Sequence, residues 1–319
     1  MKKILALLLA AVMLLSMTAC SGSAADDGKY TIGICQIQTH AALDAATQGF
    51  KDALIEAFGE ENLIFQDKDA GGEYANCATI MDGFVAEKVD LILANATPPL
   101  QAAASATGEI PILGTSVTDY ATALNIANWT GTVGGNISGT SDLAPLDQQA
   151  AMIQELFPDA ETVGLLYCTG EPNSIYQVEK VQAYLEAMGY TCQQFGFADV
   201  NELSSVTQSA CEFADVIYIP TDNTAAQYTE TIANVVIPAQ VPVVAGEAGI
   251  CSGCGVATLS IDYYDLGYAT GLMAVKILKG EASISDMPVE FAPLVTKMYN
   301  AAICEALGIT IPEGYQPIG

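Results

Sequence analysis

Two stretches of the sequence are so alike that the chain can be read as two copies of one structural unit. In each stretch, an apolar run rich in β-branched residues ends abruptly in small polar residues, at Ala214 to Thr224 and at Val89 to Pro98. Asp90 in one copy corresponds to Asp215 in the other. Runs of this kind are typical of buried parallel strands. We therefore expect a duplicated α/β unit.

The similarity extends to both sides of these runs. A strand pattern, a polar loop and a helix pattern precede each run, and an Ala-rich helix pattern follows it and leads to a further strand, at 110–113 or 241–244. A chain of 319 residues is also longer than one hydrophobic core usually supports. The pattern predicts two doubly wound parallel-sheet lobes joined by a hinge, with a cleft between them.

Other segments are assigned from composition. Residues 67–73 are predicted to be a turn-rich loop, and the Gly- and Thr-rich residues 131–141 the first crossing between lobes. A helix around 147–156 should open the second lobe, and a strand near 289–296 should return the tail.

The charge of the chain excludes one class of partner. The formal net charge is −27, and the 10 basic residues are all lysines. Nucleic-acid binding requires a basic surface, so no nucleic-acid partner is expected. A solubilising surface is the simplest reading of the acidity.

The amino terminus has the pattern of a bacterial lipoprotein signal. Lys2 and Lys3 precede an apolar segment, and Cys20 follows small residues. Residues 1–19 are predicted to be a signal peptide, and residues 20–29 a lipidated Cys20 with its tether. The mature protein would then be anchored by lipid to the outer face of the cytoplasmic membrane. An ordinary secretory signal with a chance cysteine is the alternative.

The other cysteines suggest neither metal nor redox chemistry. Cys251 and Cys254 form one isolated pair, which lacks the second half of a zinc site. We expect either a local disulfide or two inert thiols there, and no metal or other cofactor. His40 is the lone histidine, so it cannot build a metal site with a second one.

Polar residues at the predicted strand ends are the candidate ligand contacts. They are Thr39, His40, Asn95, Thr97, Ser116, Val117, Thr118, Asp142, Asn173, Ser174, Asp222, Asn223, Thr224 and Glu247. Without arginine, a phosphate or dicarboxylate ligand is hard to hold. Hydroxyls and helix N-terminal N–H groups could hold one carboxylate, and Asp142, Asp222 or Glu247 could pair with an ammonium. This inventory fits a zwitterion, and nearby tyrosines favour an aromatic side chain.

Plainer roles remain open for several of these residues. Asp222 and Asn223 could simply cap a helix, Ser116 and Thr118 could be turn residues, and His40 could bond at a helix start.

Several motifs along the mature chain occur in the same order as in a known protein family. They include Gly33 to Gln38, Ser116 to Asp119, Gly134 to Gly139, Ile217 to Thr224 and Ile261 to Gly267. With these motifs the chain is similar to the ABC transporter substrate-binding lipoproteins of the tryptophan/tyrosine type, which have the type I periplasmic-binding-protein fold. The resemblance implies two lobes, 30–141 plus about 262–288 and 142–261 plus about 289–319, joined by three crossings.

The resemblance also implies a function and partners. The lobes would close on an amino acid, often aromatic, and deliver it to an ABC permease with its ATPase, and the receptor would be a monomer. Two features depart from the family pattern. Glu247 stands at a place where the family commonly has an Asp followed by a Glu, and Cys251 and Cys254 lie in a predicted loop that does not usually carry a pair of cysteines.

Three other functions remain possible from the residues. One is a sensor of the same fold, and another is a receptor for a nucleoside or sugar. The third is a lyase or isomerase that uses Asp222 and Glu247 as acid and base, although no nucleophile elbow, P-loop or dinucleotide motif is present. We expect no enzymatic activity.

Overall fold

Strands and helices alternate along the chain in this computed structural model, which describes residues 28–292 and 294–318. The first part contains β1 (Tyr30–Gln36), α1 (Ala41–Phe58), β2 (Leu63–Asp69), α2 (Tyr74–Glu87), β3 (Leu91–Asn95), α3 (Thr97–Ala106), β4 (Ile112–Val117), α4 (Tyr120–Ala123) and β5 (Ile137–Ser141). The second part contains α5 (Leu146–Leu156), β6 (Thr162–Cys168), α6 (Pro172–Ala187), β7 (Thr191–Phe197), α7 (Val200–Phe213), β8 (Val216–Ile219), α8 (Asn223–Gln227), α9 (Thr229–Ala239), β9 (Val243–Ala245), α10 (Ala248–Cys254) and β10 (Ala257–Ser260). The last part contains α11 (Tyr263–Leu278), β11 (Glu290–Phe291), β12 (Thr296–Tyr299), α12 (Ala301–Leu307) and β13 (Gln316–Pro317).

The strands form two sheets, and the first six strands of the second sheet follow the same order as the six strands of the first. The first sheet runs β2-β1-β3-β4-β5-β11, and the second runs β7-β6-β8-β9-β10-β12-β13. Among these pairings only β10 with β12 is antiparallel. The expected fold of two parallel-sheet α/β lobes is confirmed.

Corresponding aspartates have the same role in the two lobes. Asp90 Oδ2 accepts a 2.7 Å hydrogen bond from the backbone N–H of Thr31, at the start of β1. Asp215 Oδ2 accepts a 2.9 Å bond from the N–H of Thr162, at the start of β6. Each carboxylate thereby ties the strand that follows it to the first strand of its lobe, so the sequence repeat reflects a repeated local contact.

Each sheet is covered on both faces, as the continuous apolar strands require. Ile32 and Ile34 of β1 are buried in the cluster that includes Phe50 of α1, whereas Cys35 is buried with Phe84 of α2 on the opposite face. In the second lobe, neighbouring residues of β6 likewise belong to two separate core clusters. Successive side chains of a strand point to opposite faces, which accounts for this division.

The late helix α11 packs on α1 and so belongs to the first lobe. A Cβ atom on Gly267 would lie 1.9 Å from the carbonyl oxygen of Ala46, and one on Gly49 would lie 2.1 Å from that of Tyr264. Only glycine allows the two helix backbones to approach this closely.

The chain crosses between the lobes three times: between β5 and α5, between β10 and α11, and between β11 and β12. Residues 131–141 are not the first crossing, because 137–141 form β5, which pairs with β4. The single strand expected at 289–296 is also wrong: β11 pairs with β5 in the first lobe, and β12 pairs with β10 in the second. The last crossing therefore lies a few residues beyond the boundary expected near 288.

Two further expectations concern the ends of elements. The loop expected at 67–73 begins later, because β2 continues to Asp69 in register with β1. The predicted signal peptide, and Cys20 with most of its tether, lie outside the described residues. Within 28–292 and 294–318, no helix combines the length and apolarity needed to cross a membrane.

Candidate functional site

A small enclosed cavity of about 10 Å³ lies between the lobes, where the carboxyl ends of the two sheets face each other. Its lining residues are His40, Leu43, Ser116, Thr118, Asp142, Asn173, Thr221, Asp222, Asn223, Ala226, Glu247 and Tyr263. Eight of them were predicted from the sequence: His40, Ser116, Thr118, Asp142, Asn173, Asp222, Asn223 and Glu247. The duplicated topology brings these loops together, because strand ends of both lobes point into one interface.

Ser116 contributes an unpartnered hydroxyl from the first lobe. It lies in β4 at a left-handed backbone angle, φ 54°, which is uncommon for a residue with a side chain. Its side chain is only 6% exposed, and Oγ has no hydrogen-bond partner. A strained residue with an unsatisfied buried group is a recognised mark of a binding site.

Asp142 lies directly after β5, at the first crossing. One carboxylate oxygen, Oδ2, accepts a 3.0 Å bond from the Tyr263 hydroxyl, whereas Oδ1 has no partner. Burial raises the pKa of this carboxyl to about 6. An ionised Asp142 would therefore be strongly favoured by a cation next to Oδ1.

Asn173, at the start of α6, contributes an unpartnered acceptor from the second lobe. Its Nδ2 donates to the carbonyl oxygen of Thr221 at 3.1 Å and to Glu171 Oε2 at 3.2 Å. Both partners can only accept, so the amide orientation is fixed. Asn173 Oδ1 is left without a partner at a residue that is 7% exposed.

Asp222 and Glu247 face the cavity and also cap helices. Asp222 accepts from the N–H of Ala225 at 2.8 Å and of Cys168 at 2.7 Å, which confirms the capping role left open by the sequence. Glu247 accepts from the N–H groups of Gly249, at 2.6 Å, and Ile250. Burial raises the pKa of both carboxyls, that of Glu247 to about 7.

Among the described residues, the interface between the lobes carries buried acids but no buried lysine, and its one histidine favours the neutral form. Four acidic side chains in the described chain are almost fully buried, and all lie here: Asp142, Glu171, Asp222 and Glu247. No lysine of the described residues is buried, and burial lowers the pKa of His40. No group of three His, Cys, Asp or Glu in residues 28–292 and 294–318 could hold a metal ion. The site therefore suits a positively charged group of an organic ligand.

A larger cleft of about 420 Å³ continues from the same interface. Its apolar lining includes Ile37, Tyr74, Pro98, Val200 and Tyr228. Asn223 lines both the cavity and the cleft, and its neighbours Asp222 and Thr224 line the cavity and the cleft, respectively. A volume of this size is typical of small-molecule sites.

Hydrogen bonds hold the two lobes together beside the cleft. Gln38 Nε2 donates to the carbonyl oxygen of Asn223, and His40 Nε2 lies 3.5 Å from Asn223 Oδ1. The Tyr74 hydroxyl donates to the carbonyl oxygen of Gly170 at 2.6 Å. The structure is thus a closed arrangement of the lobes.

Six predicted residues are not in the cavity. Thr39 is exposed and donates to Asp69, and Val117 points into the core of the first lobe. Asn95 is buried beneath the site, where its Nδ2 donates to the carbonyl oxygen of Leu43 at 2.8 Å. The other three are Thr97, buried at the start of α3, Ser174, which accepts from Asn173, and Thr224, which donates to Glu171 and lines the larger cleft described above.

Three lining residues were not expected from the sequence, Leu43, Thr221 and Ala226, and a fourth, Tyr263, was expected only as one of the tyrosines near these loops. Leu43 and Ala226 follow polar residues by one helical turn, so a 3.6-residue period could have suggested them. Tyr263 follows the second crossing, and its contact with Asp142 spans 121 residues. No local pattern encodes such a contact.

Cys251 and Cys254 lie on the helix α10 and not in a loop. Both are free and buried, which agrees with the alternative of two inert thiols and not with a local disulfide. Burial also raises the pKa of both thiols and so suppresses the reactive thiolate.

Three comparisons with known proteins bear on this site. The sequence profile of a family described as ABC transporter substrate binding protein matches residues 31–315. The chain is 35% identical over 302 residues to a tyrosine-binding protein of Clostridioides difficile, across 90% of this chain and 87% of that protein. It is 34% identical to an ABC domain from Streptococcus pneumonia solved in complex with L-Trp, with a TM-score of 0.86 over 91% of this chain and 100% of the other.

A third relative distinguishes the lobe arrangement. A ligand-free, open substrate binding protein with adhesive properties from Clostridium difficile is 36% identical, over 91% of this chain and 99% of that one, yet its TM-score is only 0.69. The two solved relatives are about equally similar in sequence. The lobes described here are therefore arranged more like those of the L-Trp complex.

Proposed function

The chain belongs to the family of ABC transporter substrate-binding proteins and has the type I periplasmic-binding-protein fold, and from this premise we propose that its ligand is an aromatic amino acid, tyrosine or tryptophan. Proteins of this family are extracytoplasmic binding components and not an enzyme class, and we propose that this chain likewise binds its ligand without turning it over. The relatives that bind tyrosine and L-Trp, at 35% and 34% identity, support this choice of ligand.

The observation that carries the proposal is the set of unpartnered polar atoms around the cavity. Ser116 Oγ, Asp142 Oδ1 and Asn173 Oδ1 are all buried without hydrogen bonds. Each would cost about 1–3 kcal/mol if left unpaired in the closed form. An α-ammonium group supplies three N–H donors and a positive charge, so it can satisfy the two oxygen acceptors and neutralise Asp142.

The remaining ligand groups have matching surroundings. The carboxylate would accept from the hydroxyl of Thr118, beside the backbone N–H groups that follow β4. The aromatic ring would occupy the cleft between Tyr74, Pro98 and Tyr228. Aromatic and proline side chains offer a large apolar surface to a ring.

Calorimetric titration tests this assignment. The protein would be unfolded in guanidinium and refolded to remove bound ligand, then titrated with the common amino acids, nucleosides and sugars. We expect micromolar or tighter binding of tyrosine or tryptophan. Heat from a nucleoside or sugar alone, with none from any amino acid, would refute the proposal.

A matched pair of variants tests the role of Asp142. Asp142→Asn keeps an acceptor for Tyr263 but removes the charge, and it should weaken binding about 10- to 100-fold. Asp159→Asn removes the same charge from an exposed turn and should leave the affinity unchanged. Equal effects of both variants would mean that general electrostatics, and not contact with Asp142, drives binding.

We also propose that Cys20 carries a lipid anchor and that the protein acts as a monomer with an ABC permease and ATPase. The lipoprotein signal pattern ending at Cys20 supports the anchor. Cys20→Ser should move the protein from the membrane fraction to the soluble fraction. Retention of the variant in the membrane fraction would contradict lipid anchoring.

A further inference from the structure

The polar cavity is better suited to an ammonium group than to a complete amino-acid head group. Among its unpartnered atoms, Asp142 Oδ1 and Asn173 Oδ1 can only accept hydrogen bonds when Asp142 is ionised. Ser116 Oγ can either donate or accept. All three can therefore bind the N–H groups of one ammonium, whereas only one of them can donate to a carboxylate.

The charged residues around the cavity also favour an ammonium group over a carboxylate. Asp142, Asp222 and Glu247 line it, and Glu171 is buried nearby, two residues from Asn173. No lysine lines the cavity, and the chain contains no arginine. A ligand carboxylate would therefore enter a site that repels anions and lacks the charged donors that usually bind carboxylates.

The volume of the cavity adds a limit on size. It encloses about 10 Å³, which is close to the smallest volume that holds one water molecule. An ammonium group is about as large as a water molecule, whereas a carboxylate needs additional space. The adjoining cleft of about 420 Å³ is large enough for an aromatic ring and its methylene groups.

From these contacts we propose that the protein also binds primary aromatic amines that lack a carboxylate, such as tyramine and tryptamine. The inference rests on the proposed function, because it assigns the aromatic ring to the same cleft. It adds a class of ligand: the ammonium anchors the molecule at Ser116, Asp142 and Asn173, and the ring fills the space beside Tyr74 and Tyr228. The carboxylate of the amino acid contributes little to the affinity.

The experiment compares ligands that differ by one group. Whichever of tyrosine and tryptophan binds more tightly is titrated alongside its decarboxylated amine and its deaminated acid, 3-(4-hydroxyphenyl)propanoate or indole-3-propanoate. We expect the amine to bind within about thirtyfold of the amino acid, because it loses a charge-assisted hydrogen bond of the carboxylate, worth about tenfold or more, but also escapes the repulsion by the buried acids. The deaminated acid should show no binding at millimolar concentration.

Two variants assign these effects to atoms. Ser116→Ala removes one of the three atoms that contact the ammonium and should weaken the amino acid and the amine by the same factor. Asp142→Asn should weaken both ligands by the same factor. Thermal shifts of the ligand-free variants show whether each one is folded.

Each outcome has a distinct meaning. Tight binding of the amino acid with an amine more than about thirtyfold weaker would overturn the inference and leave the proposed function intact. Binding of the amine without any aromatic amino acid would refute the proposed ligand and support the amine. Binding of neither would refute both, and binding of the deaminated acid would show that the ammonium is not the anchor.

Discussion

Lowering the pH from about 8 to about 5 should weaken binding of the aromatic amino acid, because Asp142 must be ionised to attract the ammonium. Burial raises the pKa of this carboxyl to about 6. At about pH 5 only about one protein molecule in ten then carries the charge, so the affinity should fall about tenfold. At about pH 7 the loss through Asp142 alone should be negligible. Burial raises the pKa of Asp222 and of Glu247, which also line the cavity, to about 7, so these carboxyls would begin the fall nearer pH 7 and steepen it.

Calorimetry in pairs of buffers with different ionisation enthalpies measures the protons directly. Near pH 6 about half a proton should leave Asp142 for each ligand bound, and the free amino acid does not titrate in this range. Asp142→Asn should remove this release. An affinity that is equal at about pH 5 and about pH 8, or a variant with unchanged pH dependence, would refute the assignment of the charge to Asp142.

The stability of the ligand-free protein should change in the opposite sense. Because the folded-state pKa of Asp142 lies above that of the unfolded chain, its stabilising contribution is complete below about pH 4 and is lost as the pH rises through about 6. Between about pH 5 and about pH 8 this carboxyl should cost about 1 kcal/mol of unfolding free energy. Thermal unfolding without ligand should show Tm falling by a few degrees for this reason, and a smaller fall in Asp142→Asn would attribute it to this residue.

Three further predictions concern packing, closure and thiols. Gly267→Ala should lower the unfolding free energy by about 1–3 kcal/mol, because the new Cβ would lie 1.9 Å from the Ala46 carbonyl oxygen. As a control, Gly83→Ala, at a helix position with open space, should raise the unfolding free energy by up to about 1 kcal/mol. Chemical denaturation measures both changes. Similar losses of stability in the two variants would contradict the close packing of α1 and α11. Tyr74→Phe removes the 2.6 Å hydrogen bond to Gly170 between the lobes and should weaken ligand binding about two- to tenfold. The control Tyr184→Phe, at a similarly exposed position, should leave the affinity unchanged. Equal ligand affinities of the two variants would exclude a role of this hydrogen bond in closure. Among the eight cysteines of the described chain, the half-buried Cys192 and Cys211 should react quickly with a thiol reagent, and the six buried ones only after unfolding. Rapid reaction of more than two thiols in the folded protein would contradict the burial of the other six.

The lobe architecture could be predicted because it is encoded locally and twice. Continuous apolar strands alternate with helix patterns, and the repeated Asp90 and Asp215 mark equivalent strand starts whose backbone contacts the structure shows. Eight site residues could be predicted for the same reason. They follow strands directly, and the strand ends of a parallel sheet meet at one edge.

The parts of the fold and of the site that could not be predicted depend on contacts between residues far apart in the sequence, which no local sequence pattern indicates. Tyr263 reaches Asp142 only because α11 returns to the first lobe, and this return depends on the backbone approach at Gly49 and Gly267. The two-residue strand β11 is too short to show a period. Asn95 was assigned to the site because it ends β3, yet its amide is used inside the lobe on Leu43 and Thr47. Position at a strand end does not reveal whether a side chain points toward the cleft.

The unpaired atoms around the cavity also explain why closure should depend on ligand. Ser116 belongs to the first lobe, Asn173 to the second, and Asp142 to the crossing between them. In an open arrangement water would hydrate all three, so burying them without partners is a cost of the closed form alone. A single ammonium that bonds to all three removes this cost, and it can do so only when the lobes are together. Because the Asp142 side chain is held by Tyr263, just beyond the second crossing, the same ligand group contacts the hinge itself. Because the ammonium interacts favourably with the closed arrangement alone, its binding shifts the equilibrium toward that arrangement.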